Sequence, residues 1–205
     1  MAAMTEHRLI TVDEFDRVIE EGIIGEDDQV ELWDGCVVPK LPKSPRHRVT
    51  TRMTAKALDK VVPVGWYATK EAAVVIGPRS RPEPDVAVIR SELEFDTSRD
   101  PAASECCLAV EVADSSLDDD RGKKLAGYGR AEIPVYRIIN LRENQVEVYS
   151  DPDVIGGQYR NRVDHKLASG RASASGLVPV VIDGREVGRI AVADLIPPKD
   201  PAGGS

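Results

Sequence analysis

The sequence predicts an α/β fold of the α+β kind, a central mixed β-sheet flanked by helices. Three observations point there. Helix-like and strand-like segments alternate through the first two thirds of the chain, short β-rich runs crowd the second half, and 41% hydrophobic with 30% charged residues is ordinary globular composition. A chain of 205 residues suits one core better than two. The sequence therefore predicts a single domain over residues 9–196, with flexible ends at 1–8 and 197–205, the latter a PPKDPAGGS tail without an apolar anchor.

Taken in order, Thr11-Val-Asp-Glu14 reads as a capping box, in which the Thr hydroxyl and the Glu carboxylate each satisfy a free backbone N–H, and a helix is expected over residues 12–21. Gln29–Trp33 and Gly35–Leu41 flank Asp34-Gly35, the dipeptide that supplies positive φ to a tight hairpin. From Ser44 to Val61 the residues Val49, Met53, Ala57, Leu58 and Val61 recur at helical spacing, with basic residues between them. Strands are expected at Trp66–Ile76 and Val86–Ile89, separated by a proline-containing loop that leads to Asp85. Cys107–Ala113 is a compact apolar strand and Asp118–Ala131 a helix, despite Gly122, Gly127 and Gly129. Val135–Leu141 and Gln145–Tyr149 form a further strand pair, with more short strands between Tyr159 and Ile190.

No apolar run reaches the roughly 20 residues of a membrane-spanning helix, and MAAMTEHRLI lacks the apolar stretch of a secretory signal, so a cytoplasmic location is expected. Cys36, Cys106 and Cys107 fit reduced, small hydrophobic side chains better than a disulfide framework, and with His7, His47 and His165 they show no zinc-ligand spacing. The net charge of −8 weighs against broad affinity for nucleic acid, which rests on Lys and Arg. One short region runs against that balance: Lys40, Lys43, Arg46, His47, Arg48, Arg52, Lys56 and Lys60 either face phosphates or form a solvated helix face.

Glu111 is the most informative residue. It interrupts Leu108-Ala-Val-Glu-Val-Ala113, where a strand puts Leu108, Val110 and Val112 on one face and Glu111 with the small Ala109 and Ala113 on the other. A carboxylate buried there needs a metal, a basic partner or water; the alternative is an edge-strand Glu facing solvent. Asp85 repeats the pattern, sharing a face with Ala87 opposite Val86 and Val88, unless Pro84-Asp85 is merely a turn. If the two strands are neighbours, the carboxylates converge as hard oxygen ligands suited to magnesium. Lys124, on the following helix, would bring an ammonium over the pair, with Lys123 as the competing choice. Opposite charges at that range favour each other's ionised forms, so both acids are expected to be deprotonated at neutral pH unless desolvation dominates.

Several separated motifs then fall in one order: Glu31-Leu-Trp-Asp-Gly35, Ser44-Pro-Arg-His47, Pro84-Asp-Val86, Glu111-Val-Ala-Asp-Ser-Ser116, Asp120-Arg-Gly-Lys-Lys-Leu125, Tyr128, Ile133-Pro134 and the strand Tyr136–Leu141. Over about residues 9–196 this order resembles the Uma-type restriction-endonuclease family of the PD-(D/E)XK superfamily. The resemblance implies a restriction-endonuclease-like core with the acidic site at one edge where strands diverge, and Asp85 and Glu111 as ligands of Mg²⁺, with Mn²⁺ as a substitute. It also implies Lys124 in place of the lysine that the superfamily carries two residues after its second acid, a position held here by Ala113, and Glu31 as an auxiliary acid. Glu132 stands where the family usually has Gly, and Arg137 where it usually has an aromatic residue. The implied activity is metal-dependent hydrolysis of DNA phosphodiesters. By analogy with enzymes that cut both strands of a duplex from two identical sites across a two-fold axis, a homodimer is expected. The competing expectation is a nuclease-fold protein that binds nucleic acid or a protein partner without cutting.

Overall fold

The computed structural model describes residues 8–25, 27–167 and 176–198. The ends expected to be flexible lie outside these residues, apart from Arg8, Pro197 and Pro198. Helix α1 (Val12–Glu20) starts with the expected capping box: Thr11 Oγ1 accepts from Glu14 N at 3.2 Å, and Glu14 Oε2 accepts from Thr11 N at 3.0 Å. It buries Val12 and Phe15 against Leu32. Strands β1 (Val30–Trp33) and β2 (Cys36–Pro39) pair as a hairpin whose turn residues Asp34 and Gly35 have φ of 47° and 82°. A Cβ at Gly35 would stand 2.7 Å from Leu9 Cβ, so the turn also needs glycine for close approach.

The main sheet has the order β3 (Trp66–Lys70), β4 (Val86–Arg90), β5 (Cys106–Ala113), β6 (Val135–Asn140), β7 (Gln145–Asp153), β8 (Gln158–Lys166). Neighbours are antiparallel except β5 and β6, which are parallel and joined by a helical crossover. The sheet is thus mixed, as expected. The alternation read from the sequence holds: Val86, Val88, Leu108, Val110 and Val112 pack on one face, and Ala87, Ala109 and Ala113 on the other.

Two layers cover the first face. One is α2 (Pro45–Asp59), with Pro45 in its first turn and Ser44 Oγ accepting from His47 N at 3.1 Å. It buries Thr50, Thr51, Thr54, Ala55, Ala57 and Leu58, so its inner face is more threonine-rich than the apolar spacing predicted. The other is the hairpin of β9 (Leu177–Ile182) and β10 (Arg185–Ala191), which contributes Val178, Val180, Ile182 and Ile190. On the second face the crossover from β5 to β6 packs Leu125 and Tyr128 beside Trp33 of β1.

Apart from β7, which runs past the expected Tyr149 to Asp153, two elements differ from the sequence reading. The strand expected over Trp66–Ile76 stops at Lys70, because Glu71 turns the chain with φ 53° and the segment beyond makes only isolated bridges such as Val75↔Ala102. The helix expected over Asp118–Ala131 is three pieces: α3 (Leu117–Asp119), a π-helical turn (Asp120–Lys124) and α4 (Leu125–Arg130). Glu132 ends it with φ 60°, a left-handed conformation that favours glycine. No helix among the described residues is long and apolar enough to cross a membrane.

Candidate active site

β4 and β5 run antiparallel with Val86 opposite Val110, and the same register carried one step further sets Asp85 opposite Glu111. Directly opposed residues in such a pair share a face. Asp85 enters at the start of β4 and Glu111 lies towards the end of β5, so both acids stand at one end of two interior strands. The lateral edge of the sheet, suggested by the expectation of a site where strands diverge, is elsewhere. Glu111 is 3% exposed, which rules out the solvent-facing edge-strand alternative.

Both carboxylates open onto a cavity of about 350 Å³, whose walls include Glu31, Lys43, His47, Asp85, Glu111 and Lys124. Asp85 is 4% exposed and fully partnered. Its Oδ1 lies 3.0 Å from Lys43 Nζ, and its Oδ2 lies 3.0 Å from His47 Nε2 and accepts from Val112 N at 2.9 Å. Burial works against its charge, but the hydrogen bond and charge of His47, Lys43 and the Val112 amide outweigh it, and the pKa is lowered. Lys43 also lies 2.6 Å from Glu71; burial opposes its charge, Asp85 and Glu71 offset that, and its pKa is raised.

Glu111 behaves differently. Tyr128 donates to its Oε1 at 2.9 Å, and Lys124 Nζ lies 3.0 Å from its Oε2. Burial pushes its pKa up; Lys124 pulls it down, but Asp85, Asp120 and Glu31 push it further, to about 8. The expectation that both acids are ionised unless desolvation dominates is met in its first part at Asp85 and in its exception at Glu111, where burial and neighbouring acids work against ionisation more than one lysine favours it. Lys124 itself stays charged: burial works against it, while Glu111, Asp120 and Glu31 together raise its pKa.

The π-helical turn explains how Lys124 arrives there. Asp120 at its start is fully buried, accepts from Ser116 Oγ at 2.6 Å, and lies 3.2 Å from Lys124 Nζ, close enough for charge attraction though poorly aligned for a hydrogen bond. Arg121 turns the other way onto the fully buried Glu147, with Nε to Oε2 at 3.0 Å and Nη2 to Oε1 at 2.6 Å. Lys123 is exposed, its Nζ 5.8 Å from the centroid of the Trp33 ring. Glu31, on β1, is 8% exposed in the cavity wall, where its Oε2 accepts from Glu83 N at 3.3 Å.

The structure thus brings Asp85, Glu111, Lys124 and Glu31 to one cavity. Sequence reasoning assigned no role there to Lys43, His47, Asp120 or Tyr128. Three of these carried a signal: His47 closes the Ser-Pro-Arg-His motif, Asp120 opens the motif that holds Lys124 and precedes it by one helical turn, and Tyr128 is a motif position of its own.

Among the described residues no three His, Cys, Asp or Glu side chains converge closely enough to cage a metal ion. The fit to magnesium rests instead on the opposed pair Asp85 and Glu111, since Mg²⁺ is commonly held by one or two carboxylates and keeps several waters. The pKa of Glu111 is raised by burial first and by Asp85, Asp120 and Glu31 after it, and a dication at the pair would offset both effects.

A solved structure described as "a putative nuclease belonging to DUF820", from Anabaena variabilis ATCC 29413, superimposes with a TM-score of 0.66 over 91% of this chain and 97% of its own. At 17% identity the likeness shows a shared fold. No curated protein matches the chain. A family model does, and across residues 12–177, which span β1 to β8 and every residue of the cavity, the chain belongs to the family Uma2, "Putative restriction endonuclease".

Proposed function

We propose that the chain is a magnesium-dependent endonuclease that hydrolyses phosphodiester bonds in DNA, with Asp85 and Glu111 holding the ion. The observation that carries this reading is Lys124 Nζ poised 3.0 Å from Glu111 Oε2, with Asp85 opposite that acid and in the same cavity. When bound, Mg²⁺ would supply Lewis-acid stabilisation of the phosphate and ease proton loss from water.

The protein's own part follows from its charges. Lys124 is held protonated by three acids, so it acts as a fixed positive charge towards the negative charge that grows on phosphate as water adds and the ester P–O bond breaks. It is no general base. His47 and the Val112 amide fix the Asp85 carboxylate, and Tyr128 fixes that of Glu111, so neither acid has to be ordered when substrate arrives. Glu31 adds negative charge to the cavity as an auxiliary acid. A duplex cut on both strands calls for two sites, and we take a homodimer as the working assembly; a mass near 22 kDa in light scattering across a wide concentration range would count against it.

The test is cleavage of supercoiled, linear and single-stranded DNA with Mg²⁺ or Mn²⁺. Divalent-dependent cleavage lost in Asp85→Ala and in Glu111→Ala is the expected result; no cleavage and no metal binding by the folded protein overturns the reading. A second reading, a nuclease-fold protein that binds without cutting, is favoured by one observation. Each oxygen of Asp85 and Glu111 already has a protein partner, two of them lysines. Under that reading the Asp85→Ala/Glu111→Ala double variant keeps its function with folding intact.

A further inference from the structure

We propose that the exposed face of α2 is a track for the nucleic-acid backbone that leads into the cavity, carried by Arg48, Arg52, Lys56 and Lys60. This rests on the nuclease reading above and names the surface that would hold its substrate. Of the eight basic residues concentrated between positions 40 and 60, the structure gives half another task. Lys40 pairs with Glu83, Lys43 and His47 hold Asp85, and Arg46 donates to Leu141 O and the Asn144 side chain, each at 2.7 Å.

The other four remain on the surface, four residues apart from each other. That spacing sets them on one ridge inclined by about 26° to the helix axis, rising about 6 Å per step and about 18 Å in all. Among the described residues none of the four forms an ion pair, in a chain whose net charge is −8 and whose other surfaces pair most of their arginines. Among the described residues only Arg48 of the four has an acceptor for its side chain, the Lys43 carbonyl at 2.5 Å.

The ridge works against the helix that carries it. Each step sets two like charges at i and i+4, which repel, and the first turn of α2 contains no acid although helix N-termini favour them. Fold stability therefore does not explain the arrangement, whereas a polyanion does. The ridge also has a direction. Arg48 follows His47, Ser44 and Lys43 in the cavity wall, so a strand lying along it meets Asp85 and Lys124 at its end. Sequence-independent contacts of this kind bind phosphates through charge and counterion release, in the absence of any base readout.

The probe is a short fluorescein-labelled DNA duplex, its anisotropy followed over a salt series with EDTA present so that nothing is cut. Arg48→Gln/Arg52→Gln/Lys56→Gln/Lys60→Gln should bind about a hundredfold more weakly or worse, with the slope of log K against log salt smaller by about 3 to 4. Its melting temperature should equal or exceed that of the wild type, a readout that a merely structural role would move downward. Arg17→Gln/Lys166→Gln/Arg185→Gln, which removes exposed cations on α1, β8 and β10, should leave affinity near wild type. Unchanged affinity and slope in the ridge variant, an equal loss in the control, or no salt-dependent binding by the wild type would each overturn the proposal. Cleavage assays separate its fate from that of the nuclease reading: ridge-dependent binding without cutting keeps the track and removes the hydrolase, and cutting untouched by the ridge variant does the reverse.

Discussion

Lys124 Nζ stands 3.0 Å from Glu111 Oε2 although the two residues belong to different elements, a π-helical turn and β5. A single turn of π-helix inside an α-helix is rare and is found preferentially at functional sites. Here it aims Lys124 at the acids while the adjacent Arg121 points away to Glu147. Lys124→Ala should lower cleavage by about two to three orders of magnitude, the usual cost of removing one preorganised donor from a developing anion. Magnesium affinity, measured by calorimetry, should be unchanged or higher, because a cation next to the ligand pair has gone. Full cleavage in that variant would end the argument that this lysine stands in for the one absent at Ala113.

Glu111 should make the metal-free protein sensitive to alkali. Its pKa in the folded chain is about 8 against an ordinary value of 4.5, so the native state binds the proton more tightly than the unfolded state. The stability this contributes is fully present below about pH 4.5 and is lost as the pH rises through about 8, with a magnitude on the order of a few kcal/mol. Asp120, also raised by burial, acts in the same direction, and the groups facing Glu111 are Lys124, Tyr128, Asp85, Asp120 and Glu31. Urea unfolding in EDTA should therefore show stability falling across that window, and Glu111→Gln should flatten most of the fall. Added Mg²⁺ should restore stability at the alkaline end in the wild type and not in the variant. A wild-type profile that is flat or rises between pH 4.5 and 8 would refute the assignment.

Much of this was legible in the sequence, and what was not has physical reasons. Side-chain alternation was enough to set Glu111 and Asp85 on the alanine-lined faces of their strands, because a period of two leaves no choice once one face is apolar. The capping box at Thr11 and the Asp34-Gly35 turn were readable because each is a local backbone requirement. The end of β3 was not, since Ala72 to Ile76 is as apolar as a strand and only the positive φ of Glu71 stops it. Nor was the extent of β7 and β8, where Gln158–Lys166 is largely exposed and carries no apolar stripe. The partners of Asp85 were hidden for a further reason. Lys43 and His47 lie about forty positions away, and only the packing of α2 on the sheet brings them to it.

Gly127 tests how the β1–β2 hairpin is held. A Cβ at this position would stand 2.5 Å from Trp33 Cζ3 and 3.3 Å from Cη2, well inside contact distance. Gly127→Ala should raise helix propensity and still destabilise, by about 1–3 kcal/mol, because a rigid indole in a packed layer has to move. Since Glu31 lies two residues before Trp33 on the same strand, the variant should also show weakened cleavage and a shifted tryptophan emission spectrum. A variant more stable than the wild type with unchanged emission would mean that α4 does not pack on Trp33 as described.

Glu147 should govern behaviour in acid, and through Arg121 the order of the turn that carries Lys124. It is a fully buried carboxylate that receives Arg121 in two-pronged fashion, Asn140 Nδ2 at 2.9 Å, Tyr149 OH at 2.8 Å, and Arg162 within 3.3 Å. Burial opposes its charge, but these donors outweigh burial and hold its pKa down to about 2. The sign is opposite to that of Glu111: a lowered native pKa contributes stability that is present above about pH 4.5 and is lost as the pH falls through about 2. Glu147→Gln keeps the shape but sets an amide N–H among donors and leaves Arg121 without its counter-ion, so a loss of about 3–5 kcal/mol at neutral pH is expected. Followed from about pH 6 down to about pH 3, the gap in urea midpoint between variant and wild type should narrow, because the unfolded wild-type chain takes up a proton at Glu147 that the native carboxylate still refuses. Because Arg121 and Lys124 leave the same turn in opposite directions, the variant should also lose turnover, and Glu147→Asp should recover part of it by keeping the charge. A gap that stays constant across that pH range would show that Glu147 fills space and anchors nothing by its charge.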